Sequence, residues 1–200
     1  MSDNQRVVIT GLGVATPIGI GISPFWEGLL DGRCGIGPIT AFDASSLPAR
    51  IVGELPAFKI GDYVPKTHRK SVKLMSRDIQ MAVIAAYEAV RDASLPTRCM
   101  FERGEVDQTT IDPTRMGVNI GAGLICPDLN ELAAAFGTAL DDAHQFDLRL
   151  WGSGGMENLT PLWLLKYLPN MLACHVTIVH DAQAMSNTIT CGEASSHLAI

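Results

Sequence analysis

The sequence predicts an α/β fold, in which helices pack against a layered sheet. Strand-like and helix-like hydrophobic patterns alternate along the chain, and a strand, a glycine turn and a helix follow one another twice. Hydrophobic residues make up 47% of the 200 residues and charged residues only 18%, which is enough apolar surface for a sizeable core. The length is that of one or two domains.

The composition disfavours several functional classes. The net charge of -6 argues against a nucleic-acid-binding surface, which is usually basic. The apolar stretches are shorter than the roughly 18 to 20 residues of a membrane span, and no signal-peptide pattern follows the polar start. We therefore expect a cytoplasmic protein that binds neither nucleic acid nor membrane. The odd number and wide spacing of the five cysteines favour reduced thiols over disulfides or a zinc site.

The amino-terminal part predicts two short strands and one helix. The β-branched residues 6–10 end at the glycines of residues 11–13, a pattern typical of a buried strand and a tight turn. Residues 24–31 are predicted to be helical, with Gly32 in the left-handed position that ends many helices. The connection that follows is rich in Gly and Pro and allows only short elements, of which residues 50–53 are a candidate strand.

The middle of the chain contains the clearest helical pattern. Apolar residues recur every three or four positions over residues 76–93, which predicts an amphipathic helix. Residues 97–114 are polar and without periodicity, so we expect a loop. Residues 116–120 then predict a strand, and after a glycine turn residues 127–140 predict a second helix.

The last third predicts a loop, a helix, two strands and the start of another helix. Residues 141–158 are polar and contain glycine, which indicates a mobile excursion, and the Thr-Pro pair at residues 160–161 is a helix-start signal. Residues 176–179 and 187–190 predict strands. The small residues after Cys191 predict a helix that begins directly behind it.

The glycines after the first strand raise the question of a dinucleotide site. Gly11 and Gly13 would let backbone amides approach a pyrophosphate. The third glycine position of that motif holds Thr16, however, and no acidic residue follows about 20 positions on. A Rossmann-type oxidoreductase is therefore a disfavoured alternative.

Histidines and carboxylates give no metal or acid–base signal. No two histidines have the spacing of metal ligands, so we expect no metal and no other cofactor; they are His68, His144, His175, His180 and His197. Three carboxylates share a polar loop and are interpreted as a solvated surface: Asp141, Asp142 and Asp147.

The position of Cys191 in the sequence makes it a candidate reactive side chain. It follows a β-branched strand and precedes small residues, where the free amides of a helix start stabilise a thiolate and can bind an oxyanion. Position alone leaves a nucleophile and a small buried side chain as equal alternatives. The other cysteines are predicted to be buried and unreactive: Cys34, Cys99, Cys126 and Cys174.

Eight segments, in order along the chain, form a recognisable series. They are residues 6–19, the stretch from Trp26 to Ile36, Phe42-Asp43, Gly53-Glu54, Arg77 with the Ala-rich helix, and residues 117–124, 161–171 and 186–191. Together they resemble the amino-terminal half of the β-ketoacyl-[acyl-carrier-protein] synthases, the condensing enzymes of fatty-acid and polyketide synthesis, and the resemblance runs over nearly the whole chain.

The resemblance implies a thiolase-like layered fold, a mixed sheet with helices on both faces. Residues 1–200 correspond to its amino-terminal half, and the carboxy-terminal half is expected to be absent from this chain. In the family a cysteine takes an acyl chain from acyl carrier protein as a thioester, which the decarboxylated malonyl carrier protein then attacks. By resemblance Cys191 is that nucleophile, and its backbone N–H contributes to the oxyanion hole. The strand at residues 186–190 is expected to pair across a homodimer.

The sequence departs from the family pattern near the nucleophile and in the acyl pocket. Residues 184–186 are Ala-Met-Ser instead of Gly-Pro-Ser, and residues 189–194 are Ile-Thr-Cys-Gly-Glu-Ala where Thr-Ala-Cys-small-Ser/Thr-Gly is usual. Glu193 would oppose thiolate formation if its carboxylate pointed inward. Leu124 and Ile125 lie in the turn that lines the acyl pocket in the family, and the larger Ile125 and Cys126 would narrow or reroute that pocket.

The resemblance leaves two functional hypotheses. The first is a 3-oxoacyl-[acyl-carrier-protein] synthase, and the second is a non-catalytic partner subunit of such an enzyme. In the family the two histidines and the lysine that support decarboxylation lie in the second half, so we expect this chain alone not to condense thioesters. We also expect it to self-associate, because half of a layered fold exposes apolar faces.

Overall fold

The computed structural model describes residues 6–200, which form short strands and seven α-helices. The helices are α1 (Ile22–Leu30), α2 (Arg77–Asp92), α3 (Arg98–Glu102), α4 (Leu129–Thr138), α5 (Leu148–Ser153), α6 (Met171–His180) and α7 (Ser195–Ala199). The strands are β1 (Ala15–Thr16), β2 (Gly19–Ile20), β3 (Ile36–Pro38), β4 (Ile51–Gly53), β5 (Asn119–Gly121) and β6 (Asn187–Ile189). Single 3-10 turns lie at Ile60–Asp62, Lys66–His68, Ser71–Leu74, Pro113–Arg115, Gly155–Asn158 and Trp163–Lys166.

The strands pair two by two within the described residues. β1 with β2 and β3 with β4 are antiparallel, whereas β5 and β6 are parallel. In this parallel pair Asn119 lies beside Asn187 and Gly121 lies beside Ile189. Because parallel strands end at the same edge, the chain leaves β5 and β6 on the same side of the sheet.

Helix α2 forms the centre of the core. It begins where the Ser76 hydroxyl accepts a hydrogen bond from the Ile79 backbone N–H. Its inner face is fully buried at Ile79, Val83 and Ile84, and α6 packs along it. The predicted helix over residues 76–93 is thereby confirmed to within one residue at each end.

The predicted strand at residues 176–179 is wrong, because this segment is the second half of α6. Leu172, Val176 and Val179 follow one another at the four- and three-residue spacing of a helical face, and all three are buried in the core. The β-branched composition of the short segment indicated a strand, but packing against α2 decides the structure.

The predicted buried strand at residues 6–10 is also not found. Val7, Val8 and Ile9 are exposed, at 97%, 71% and 82% of their surface. No described segment pairs with them, and a strand is stable only when neighbouring strands supply its backbone hydrogen bonds.

Two segments predicted to be loops contain helices. Residues 97–114 include α3, which buries Cys99 and Met100 and is bridged by an Arg98–Glu102 ion pair. Residues 141–158 include α5, whose first amides donate to the Asp147 carboxylate. Helix α3 is stabilised by an ion pair and α5 by a side-chain cap at its start, and hydrophobic periodicity reveals neither of these interactions.

The helix expected from residue 160 onward is reduced to the 3-10 turn Trp163–Lys166. Leu162 precedes it with a left-handed backbone, φ +63°, which interrupts a continuous helix. The predictions for residues 24–31, 50–53, 127–140 and 187–190 are confirmed as α1, β4, α4 and β6, with shifted ends. Within the part of the chain that the structure describes, no helix is both long and apolar enough to cross a bilayer.

Candidate active site

Cys191 lies two residues beyond the end of β6, at the edge where β5 also ends. Its side chain is exposed. The sulfur therefore stands outside the packed interior, where a reactant can reach it. The helix predicted directly behind Cys191 begins four residues later, since α7 starts at Ser195.

A tight turn occupies the residues between Cys191 and α7. The Cys191 backbone N–H donates to the Ser195 hydroxyl at 2.9 Å, and this hydroxyl donates to the Gly192 carbonyl at 2.6 Å. Gly192 has a left-handed backbone with φ +53°, which an L side chain rarely adopts. The amide expected to bind an oxyanion is thus engaged with Ser195 in this structure.

An apolar cleft of about 490 Å³ lies beside the ends of β5 and α2. Its walls include the small side chains of Ala82, Ala85 and Ala86, and residues 120–125 line another side. The two acyl-pocket candidates both line it but differ in burial, because Ile125 is 7% exposed and Leu124 is 92% exposed. Ile125 is therefore part of the floor and Leu124 part of the rim.

Glu193 does not point inward, since its side chain is exposed. Among the other cysteines only Cys99 is fully buried as predicted, and burial raises the pKa of its thiol to about 12. Cys34 and Cys126 are exposed instead, and Cys174 is half-buried. The chain therefore offers two further exposed thiols with which Cys191 can be compared.

Two histidines of α6 are buried in the core. His180 is 2% exposed, its Nδ1 lies 2.9 Å from the Thr97 hydroxyl, and burial lowers its pKa to about 4. Burial also lowers the pKa of His175. Within residues 6–200 no cluster of three His, Cys, Asp or Glu side chains is arranged to hold a metal ion.

The remaining sequence candidates have structural explanations. The backbone of Gly11 and Gly13 crosses α2 so closely that a Cβ at either residue would overlap helix backbone atoms. Close packing on α2 therefore accounts for this glycine pair. Asp141 and Asp147 accept backbone N–H bonds in the exposed loop and at the start of α5.

A basic surface was missed by the sequence reasoning. It is formed by the exposed side chains of Lys66, Arg69, Lys70 and Lys73, none of which forms an ion pair with a described residue. The signal in the sequence is a local excess of Lys and Arg within a chain whose net charge is -6. An average over the whole chain conceals such a surface.

The comparison with known families agrees with this geometry. A family described as "Beta-ketoacyl synthase, N-terminal domain" matches residues 4–200. The chain belongs to the β-ketoacyl synthase family.

Individual relatives cover less of the sequence. The 3-oxoacyl-[acyl-carrier-protein] synthase 2 of Staphylococcus aureus (strain COL) is 40% identical over 124 residues, which are 62% of this chain and 27% of the relative. The protein of the same name from Synechocystis sp. is 39% identical over 61% of this chain and 26% of its own length. The chain thus matches about a quarter of the length of these curated relatives.

Solved structures confirm the thiolase-like α/β fold. A β-ketoacyl synthase from Burkholderia phymatum STM815 superposes with a TM-score of 0.69 and 25% identity, over 97% of this chain and 41% of that one. A type II PKS acyl-carrier protein in complex with its ketosynthase gives a TM-score of 0.64 at 14% identity, over 98% and 44%. The second likeness concerns the fold alone.

Proposed function

We propose that the chain supplies the acyl-accepting cysteine of a 3-oxoacyl-[acyl-carrier-protein] synthase. The Cys191 thiolate attacks the carbonyl of an acyl thioester, and the thiolate of the donor leaves and takes up a proton. A malonyl thioester then loses CO₂, and its carbanion forms a carbon–carbon bond with the acyl group. The Cys191 sulfur leaves in that step and recovers its proton.

The position of Cys191 is the observation that carries this proposal. An exposed thiol stands where β6 ends, and the neighbouring strand β5 ends in the loop that closes an apolar cleft. A nucleophile on the same sheet edge as an apolar cleft suits a substrate with a reactive carbonyl and a hydrocarbon chain. Ile125 and Leu124 are proposed to contact that chain.

The basic surface supports a carrier protein as the donor of the acyl group. Lys66, Arg69, Lys70 and Lys73 are exposed and have no acidic partner among the described residues. A partner that docks here presents acidic groups, because opposite charges steer the encounter and fix its orientation. Acyl carrier protein is proposed as that partner.

The proposed assembly is a cytoplasmic homodimer that pairs through residues 186–190. β6 has one paired edge, toward β5, so its other edge is open within the described residues. The carboxy-terminal half of the fold is proposed to supply the residues for decarboxylation, so the 200-residue chain alone accepts an acyl group without completing the condensation.

Acyl transfer to the 200-residue chain tests the proposal. Octanoyl-N-acetylcysteamine is a small acyl thioester, and peptide mass spectrometry locates the octanoyl group. We expect Cys191 to be acylated about tenfold faster than the exposed comparators Cys34 and Cys126, because the cleft proposed to hold the octanoyl chain lies at the same edge of the β5–β6 pair and raises the local concentration of the thioester. Equal rates at the three thiols would contradict the proposal. The variant Cys191→Ser should lose the fast octanoylation of this peptide, which identifies Cys191 as the acylated residue.

The second candidate is a non-catalytic partner subunit. It is favoured by the engagement of the Cys191 N–H with the Ser195 hydroxyl, which leaves the thiol without its proposed oxyanion donor. In that case the chain contributes the dimer strand and the cleft, and thioester acylation at Cys191 matches that of the comparators.

A further inference from the structure

Ser195 holds the backbone amide of the proposed nucleophile. Its side chain is buried, at 4% exposure, whereas that of Cys191 is exposed. Its hydroxyl accepts the Cys191 N–H at 2.9 Å and donates to the Gly192 carbonyl at 2.6 Å. Both hydrogen-bonding functions of this hydroxyl are thereby used within a single turn.

We infer that Ser195 is a positioning residue that controls whether the Cys191 N–H is available to bind an oxyanion. An amide carries one proton, and that proton cannot point well at two acceptors at once. The inference rests on the proposed function, since it concerns the same acyl transfer.

The change that frees the amide is a rotation of one side chain. β5 fixes the Ser195 backbone, because the Gly121 backbone lies so close that a Cβ there would overlap the Ser195 carbonyl. The turn and the strand therefore keep their places while the Ser195 hydroxyl moves to another staggered rotamer. Because Cys191 is exposed, a reactant can approach the residue whose N–H is freed.

The chemistry gives this role a specific signature. In acylation the thioester carbonyl oxygen becomes an oxyanion before the carbon–sulfur bond to the donor thiol breaks. In alkylation by iodoacetamide the sulfur displaces iodide at a saturated carbon and no oxyanion forms. Ser195 therefore affects acylation of Cys191 and leaves its alkylation unchanged.

The test compares these two reactions in Ser195→Ala, using octanoyl-N-acetylcysteamine and iodoacetamide on the 200-residue chain. We expect acylation of Cys191 to rise about threefold to tenfold, the factor corresponding to one released hydrogen bond, with alkylation unchanged. Amide hydrogen exchange at Cys191 should become faster.

Ser196→Ala is the matched control, because the neighbouring Ser196 is exposed and forms no side-chain hydrogen bond within the described residues. Ser195→Thr, which keeps the hydroxyl, should restore the original ratio of the two rates.

Two results overturn the inference, and they are distinguishable. If acylation and alkylation change by the same factor, Ser195 only shapes the turn, and Cys191 remains the proposed nucleophile. If Cys191 is acylated no faster than Cys34 and Cys126 in the wild-type chain, the proposed function fails and the inference fails with it.

Discussion

The inner face of helix α2 and the segment of residues 7–9 are both apolar, yet they differ completely in environment. Ile79, Val83 and Ile84 of α2 are fully buried, whereas Ile9 is 82% exposed. The α2 side chains meet α6, which the same 200 residues provide, and no described segment covers residues 7–9. Apolar sequence therefore becomes stabilising core only where a partner surface is present.

The largest expected difference is in stability. Ile84→Ala should lower the free energy of unfolding by about 2–5 kcal/mol, because it opens a cavity in the α2 core. The matched change Ile9→Ala should stay within about 0.5 kcal/mol, since Ile9 makes little packed contact. Urea denaturation of both variants measures this difference. Equal losses would mean that residues 7–9 are packed in solution.

Acid should have a smaller effect on the free energy of unfolding, through a histidine buried in the core. Burial lowers the pKa of His180 to about 4, against about 6.5 in an unfolded chain, so the unfolded chain binds more protons between these values. The free energy of unfolding should fall by up to about 3 kcal/mol as the pH drops from 6.5 to 4. Urea denaturation across that range measures the fall.

The control for this pH dependence is His180→Gln, which keeps a hydrogen-bonding partner for Thr97 but does not titrate. Its pH dependence should be weaker and should retain the part that comes from His175, whose pKa burial also lowers. An unchanged pH profile in this variant would show that other groups cause the acid effect.

The sequence was sufficient where pattern and packing agree. The periodic face of α2 and the strand before Cys191 were predicted because their neighbours lie within the same chain. The family was predicted because its motifs follow one another in order over residues 6–191, and the family match to residues 4–200 confirms it. The strand predicted at residues 176–179 is wrong, because four consecutive β-branched residues fit a strand as well as a helix, and only packing against α2 selects the helix.

The hydrogen bonds and charged surface of the candidate site could not be predicted from the hydrophobic pattern of the sequence. Ser195 belongs to a run of small residues that predicted only a helix start, and its bond to the Cys191 N–H depends on the left-handed turn at Gly192. The basic surface was hidden by the net charge of -6, because a sum over the chain has no spatial resolution.

The rate order of the five thiols tests most directly whether the reactive group lies at the exposed end of β6. In one native sample at pH 7, limited iodoacetamide labelling and peptide mass spectrometry give the rate at each cysteine. Cys191 should react first, as expected of the proposed nucleophile. Cys99 should react last, because it is 0% exposed and burial raises the pKa of its thiol to about 12. If Cys191 reacts no faster than Cys34 and Cys126, it is an ordinary surface thiol and the proposed nucleophile is contradicted.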